Sequence, residues 1–308
     1  MRIGVDLGGT KIEAVVMDDR SRLVVRERVA TPQGDYRATL EVVAGVVRRL
    51  EAAVGRQDLP VGVGHLGAIS PSTGLLKNSN STCLNGRRFQ QDLEAVLGHE
   101  VYLANDADCL AVSEARDGAA AGAANVFGVI LGTGVGGGIA IGGRQLRGPN
   151  AIAGEWGHNP LPWIRPEWDE LPGVECWCGR HSCIETWLSG VGLVRDHERA
   201  TAERLSGEAI VQHAEAGEAR AAATLSRYED RLARALAHVI NLLDPDVIVL
   251  GGGVSRVERL YRTVPALWDQ WVFSDCVDTK LVPALHGDSS GVRGAAFLCP
   301  RIQRRHNC

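Results

Sequence analysis

The sequence predicts an α/β protein made of two related halves around a cleft, and three observations carry this. Stretches with strand and helix patterns alternate along the chain, as in mixed α/β layers. Two distant segments, "MRIGVDLGGTKIEAVVMDD" and "NVFGVILGTGVGGGIAIGG", each read as strand, glycine turn, strand, a weak internal duplication. At 308 residues the chain is long for one core and comfortable for two domains.

The first cycle opens with that hairpin and continues into a third strand, "RLVVRERVA". Residues 36–54 place Leu40, Val43, Val47, Leu50 and Val54 at helical spacing and stop near Gly55. "PVGVGHLGAI" reads as a buried strand running into a loop. Residues 71–88, rich in Ser, Thr, Asn and Gly, read as a long surface loop. "VYLAND" is another strand, followed directly by the helical "ADCLAVSEARDGAAAG". After the second hairpin, residues 150–190 are irregular, with several Trp and Pro. Residues 208–243 look helical, with Leu232, Leu236, Val239, Ile240 and Leu243 on one face. "DVIVLGGGVS" is a buried strand entering a glycine turn, "RVERLYRTVPALWDQW" a helix, and "GVRGAAFLC" a last short helix.

The composition, 45% hydrophobic and 23% charged, is ordinary for a soluble globular chain. A net charge of −4 gives no electrostatic reason to bind nucleic acid or an anionic membrane. No stretch reaches the roughly 18 apolar residues of a transmembrane helix. Arg2, Asp6 and Lys11 interrupt any signal-peptide region. The expectation is a cytoplasmic protein with reduced thiols, and the basic tail "RIQRRHNC" reads as a solvated terminus.

Three glycine loops carry the chemistry. "DLGGTK" nearly fits a Walker loop from Gly4, but Thr10 and Lys11 stand in the wrong order and a strand follows. A Gly-Gly turn between strands still presents backbone N–H groups to phosphate oxygens, and Asp6 could hold a water on Mg²⁺. A plain hairpin turn is the other reading. "GTGVGG" has G-x-G-x-x-G spacing at Gly132, Gly134 and Gly137. A strand rather than a helix follows, which rejects a dinucleotide site and leaves a second phosphate-gripping hairpin. In "LGGGVS", Gly251, Gly252 and Gly253 admit a flat group such as adenine, or simply serve a tight turn.

Asp106 falls where a strand becomes a helix, at the carboxyl end of the sheet where α/β sites form. The alternative there is a helix cap. The helix N-terminus is expected to lower its pKa and keep it ionised. Asp108, two residues on, reads as a first-turn charge on a different face. Glu155 and His158, spaced i, i+3, project to one side if "AGEWGHN" makes one helical turn. "CWCGRHSCIE" gathers Cys176, Cys178 and Cys183, three of the chain's eight cysteines, within eight residues. Disulfide, metal site and nucleophile are all open to such a cluster, and a reducing compartment disfavours the first.

Seven segments, "GVDLGGTK", "LANDADCLAVSEA", "LGTGVGGG", "AGEWGHNPL", "CWCGRHSCIE", "DPDVIVLGGGVS" and "HGDSSGVRGAAF", together resemble the ROK family of sugar kinases and repressors, over essentially the whole chain. Within it, "LLKNSNSTCLNG", "GEWGHNPLPW" and "HGDSSGVRGAA" look most like bacterial fructokinase of the manno(fructo)kinase type. The resemblance implies an α/β, actin-like and hexokinase-like (ribonuclease H-like) ATPase fold. Residues 1–115 plus about 290–308 would form a small domain and 116–289 a large one, closing on substrates. It implies transfer of the γ-phosphoryl of ATP to the 6-hydroxyl of a hexose, D-fructose favoured and N-acetylglucosamine, glucose or mannose the alternatives. Mg²⁺ would bridge the phosphates, and the protein would be a homodimer.

Residue by residue, the resemblance makes Asp106 the catalytic base and places Gly67, Asn80, Asn105, Glu155, His158 and Glu185 on the sugar. Gly8, Gly9, Thr10 and Lys11, with Asp6, and then Gly132, Thr133 and Gly134 would meet the ATP phosphates, with Gly251, Gly252 and Gly253 near the adenosine. His158, Cys176, Cys178 and Cys183 would hold a structural Zn²⁺, a closed four-ligand site that aims sugar-binding side chains rather than doing chemistry. Three positions depart from the family pattern: His65-Leu66 replaces Ile-Pro before Gly67, Ser182 stands for Gly, and Cys83 stands for an aromatic. A sugar-responsive repressor of the same family would need a DNA-binding segment before Asp6, where five residues leave no room, so no nucleic-acid partner is expected.

Overall fold

In the computed structural model, which describes residues 1–300, the first cycle folds as β1 (Arg2–Leu7), β2 (Lys11–Met17), β3 (Leu23–Ala30), α1 (Tyr36–Ala53) and β4 (Val61–His65). A two-stranded ribbon, β5 (Ala68–Ile69) and β6 (Leu76–Lys77), precedes α2 (Phe89–Leu97), β7 (Val101–Asn105) and α3 (Asp106–Asp117). The basic tail and the end of the 290–308 segment lie outside the described residues. α1 starts where Asp35 accepts a hydrogen bond from the Ala38 N–H at 3.0 Å, a capping bond, and it buries Leu40, Val43, Val47 and Leu50 as their spacing requires.

The second cycle runs β8 (Asn125–Leu131), β9 (Val135–Ile141), β10 (Arg144–Gln145), α4 (Ile184–Leu188), α5 (Gly190–Thr201), α6 (Gly207–Glu215), α7 (Ala219–Leu243), β11 (Val247–Gly251), α8 (Leu260–Thr263), β12 (Lys280–Pro283) and α9 (Ser290–Leu298). The stretch 208–243 is two helices, because the chain turns at Gly217 with φ +86° and Glu218 then caps α7 by accepting from the N–H groups of Arg220 and Ala221. The helix read at 256–271 is mostly 3-10 turns around the four-residue α8, since Pro265 offers no N–H to continue it. Among the described residues no helix is long and apolar enough to cross a membrane.

The duplication is plain in the sheets. One has the order β3-β2-β1-β4-β7, the other β10-β9-β8-β11-β12. In each, an antiparallel hairpin is extended by two parallel strands, so β1 pairs with β2 and β4 as β8 pairs with β9 and β11. The two helices between the sheets are exchanged. α3 follows the first sheet but packs mainly on β8 and β9, while α9 follows the second and packs on β1 and β4. Each seat needs a bare backbone. A Cβ on Gly62 would come 1.8 Å from the Ala295 carbonyl in α9, and one on Gly138 would come 2.3 Å from that of Ala107 in α3. Apolar cores lie on the outer faces of both sheets, under α1 and α2 on one side and α4 to α8 on the other.

Candidate active site

A cavity of about 820 Å³ opens between the two halves, where the carboxyl ends of β1, β7 and β8 converge. It is lined by Gly8, Gly9, Thr10, Gly67, Asn80, Asn105, Asp106, Gly132, Thr133, Gly134, Glu155, His158 and Glu185, all named from the sequence. Asp6, Lys11, Gly251, Gly252 and Gly253 are not on its wall. Asp6 lies directly behind, near enough to Asp106 for the two carboxylates to repel. Gly252 packs against the backbone of Leu131, just before the second glycine turn.

The first glycine turn is closed by the Gly8 N–H on the Lys11 carbonyl at 3.1 Å and buttressed by Thr31, whose hydroxyl donates to the Gly8 carbonyl at 2.7 Å. The second is closed by the Gly132 N–H on the Gly134 carbonyl at 3.0 Å. The two turns come from duplicated hairpins and face the same space from opposite sheets. Gly67 is required for another reason: its φ is +85°, and a Cβ would sit 2.4 Å from the Lys77 carbonyl.

Asp106 is the first helical residue of α3, and the cap is Asn105, whose Oδ1 accepts from the Asp108 N–H. Asp106 Oδ1 accepts from the neighbouring Ala107 N–H at 3.0 Å. The expected fall in its pKa does not occur. Burial raises it to about 6, against backbone hydrogen bonds that lower it, and Glu155 adds a small repulsion. The helix terminus is outweighed because the carboxylate, half-buried in the wall of the cavity, is packed around by protein that displaces most of its water. Asp108 stands in the first turn of α3, as expected. It is buried under β10, its Oδ2 bonded to Gln145 at 2.5 Å, with its pKa pushed up to about 7 mainly by burial. Burial likewise pushes Asp6 up to about 7, with Asp106 and Glu13 adding repulsion.

Glu155 opens a 3-10 turn, Trp156–His158, so the i, i+3 pair does share one side and both line the cavity. Burial raises the Glu155 pKa, with His158 opposing. Beside them His158, Cys176, Cys178 and Cys183 offer four donor atoms within 4.8 Å of one another. His158 Nδ1 lies 3.6 Å from Cys176 Sγ, and Cys178 and Cys183 are 3.6 Å apart through their sulfurs, too far for a disulfide. A tetrahedral zinc with sulfur at ~2.3 Å needs donors about 3.7 Å apart, so the set fits that ion. Ser182, at φ +55°, takes the backbone conformation that glycine would adopt more easily, and its hydroxyl is buried between the Glu170 carbonyl and the Trp187 indole.

The sequence reading missed the segment 31–34, which lines the cavity beside the first glycine turn, and Trp177, which sits over Glu185 and His158. Pro32 and Gly34 marked a turn there, but nothing local gave its direction. His65 is a buried core residue, edge-on to Phe89 at 5.7 Å, and burial lowers its pKa to about 4.

Comparison with known proteins agrees with this geometry. The model of the ROK family matches residues 2–302. An N-acetyl-D-glucosamine kinase of Photobacterium profundum is 39% identical over 301 residues, 97% of this chain and 99% of that one. The crystal structure of a ROK hexokinase from Thermus thermophilus superposes with a TM-score of 0.85 at 30% identity, covering 97% of each chain. A ROK family glucokinase from Streptomyces griseus, solved with glucose and AMPPNP, gives 0.76 at 28% identity, covering 97% of this chain and 98% of that one. The fold is therefore the actin-like, hexokinase-like one of these kinases.

Proposed function

The chain belongs to the ROK family and is an ATP-dependent sugar kinase, and we propose that its preferred acceptor is N-acetyl-D-glucosamine, phosphorylated on the 6-hydroxyl. The relative described above bears that name, so the fructose expectation drawn from three loop segments is given up for its alternative. Cys83 on the cavity wall, where an aromatic was expected, leaves space that an acetamide can use.

The observation that carries the kinase reading is Asp106 in the wall of a cleft that two glycine turns face from opposite sheets. A carboxylate with a pKa of about 6 is mostly ionised near neutral pH and still basic enough to take a proton. The sugar hydroxyl gives its proton to Asp106 as its oxygen bonds to the γ-phosphorus and the bond to the ADP oxygen breaks. The backbone N–H groups of Gly9, Thr10, Thr133 and Gly134 hold the phosphates in line, those of Gly8 and Gly132 being used to close the turns, with Lys11 and Asp6 at the rear of the first turn. Mg²⁺ supplies charge neutralisation on the phosphates. Asn80, Asn105, Glu155, His158 and Glu185 hold the sugar hydroxyls, while Gly67 shapes the wall. Gly251, Gly252 and Gly253 flank the adenosine.

In this reading His158, Cys176, Cys178 and Cys183 would hold a structural Zn²⁺, which would tie together the loop that presents His158 and Glu185. The two sheets, each with the inner helix packed on it, move against each other to exclude water, and the active form is a homodimer in the cytoplasm. A coupled ADP-release assay over N-acetylglucosamine, glucose, mannose and fructose tests the acceptor, and no sugar-dependent ADP from any of them overturns the kinase itself.

A further inference from the structure

Trp177 stands between two of the clustered cysteines in C-W-C, and its side chain is 66% exposed on the cavity rim. An exposed indole has no need of a protein partner for its N–H, since water serves. Here Nε1 nevertheless donates to Glu185 Oε1 at 2.7 Å, and the ring stands edge-on to His158 with centroids 4.9 Å apart. The other carboxylate oxygen, Glu185 Oε2, accepts the Val135 N–H at 2.9 Å, immediately after the second glycine turn. Each oxygen of Glu185 thus accepts one hydrogen bond from the protein.

An ionised carboxylate has about four acceptor positions. Two are taken by the protein, and two remain for hydroxyls in the cavity. We propose, resting on the sugar-kinase reading of this cleft, that Trp177 is a positioning residue. Its N–H, opposite that of Val135, fixes the Glu185 carboxylate plane so that the free acceptor positions meet sugar hydroxyls. Glu185 lies in the first turn of the five-residue α4, and its carboxylate is held there by these two bonds. The same arrangement ties the sugar acceptor to the turn that receives phosphate.

The test is Trp177→Phe in the full-length protein, which keeps a ring against His158 and removes the N–H. The KM for sugar should rise about 10-fold, the worth of one hydrogen bond to a charged group, while kcat and the KM for ATP stay within about two-fold. In a Glu185→Gln background the same change should add little, because the residue it positions is already altered. Sugar should also perturb the tryptophan fluorescence of the wild type, and most of that change should vanish in Trp177→Phe. An unchanged sugar KM, or effects that multiply in the double variant, would overturn the role. Metal analysis of Trp177→Phe guards against an indirect effect: lost zinc with an equal rise in both KM values counts against positioning. Failure of the kinase reading shows separately, as a wild type that releases no sugar-dependent ADP.

Discussion

The side-chain oxygen of Asn105 accepts a 2.6 Å hydrogen bond from the backbone N–H of Asp108, and that bond separates capping from chemistry at the start of α3. With the cap supplied by its neighbour, Asp106 can be changed without unseating the helix. Asp106→Asn should lower kcat by about 10²–10⁴-fold and leave sugar binding nearly intact. Steady-state kinetics with sugar binding by calorimetry measures both, and a variant keeping a tenth of the wild-type rate removes Asp106 from the role of base.

The base must be ionised to act. Since burial raises Asp106 to about 6, kcat should climb with pH through that region and level off above it. A rate profile from pH 5 to 8 under saturating substrates shows the limb, and a flat profile down to pH 5 contradicts it.

Asp108 supplies a stability test. Its folded pKa, about 7, lies above its ordinary value of 3.8, so its contribution is fully present below pH 3.8 and is lost as pH rises through 7. Asp108→Asn removes that loss. The Tm of the variant relative to wild type should therefore increase between pH 5 and pH 8, by about 2–4 °C for each kcal/mol. Thermal melts at the two pH values decide it, and a Tm difference that does not grow with pH refutes the raised pKa.

Acceptor choice can be read from kcat/KM. N-acetylglucosamine should exceed glucose, which differs from it only at C2, by at least about 10-fold, a usual span for one differing substituent in a shaped pocket. Replacing Cys83 by Phe should narrow the gap by filling the space assigned to the acetamide.

Elemental analysis of protein purified without added metal should find one zinc per chain. Cys178→Ala, or strong chelation, should raise the KM for sugar more than that for ATP, because His158 and Glu185 lose their aim. Less than about 0.2 zinc per chain with full activity leaves the cysteines without this role.

What the sequence made legible were features written in contiguous residues. The two strand–glycine–strand hairpins are such features, and they emerge as sheets of matching order. Gly8 to Thr10 and Gly132 to Gly134 at their turns, Asn105 and Asp106 at the β7–α3 junction, and Glu185 just after the cysteine cluster line one cavity for the same reason: each lies where a strand or helix begins or ends. The pKa of Asp106 was misjudged because burial belongs to the assembled cleft, while the helix end that lowers it is local. The bond from Trp177 to Glu185 spans two segments whose approach no periodicity records. The fructose expectation finds no support in the relatives named above, since loop composition does not give the volume the loops enclose.

The exchange of α3 and α9 has a consequence for how the protein is made. On the ribosome, the inner face of the first sheet emerges early, yet its cover, residues 290–298, is synthesised after every other described element. Gly4 and Gly62, which leave the groove that α9 fills, then face water without a partner until translation is nearly done. The amino-terminal half therefore cannot mature as an independent unit, and a nascent chain stalled before residue 290 presents that bare sheet to chaperones and proteases.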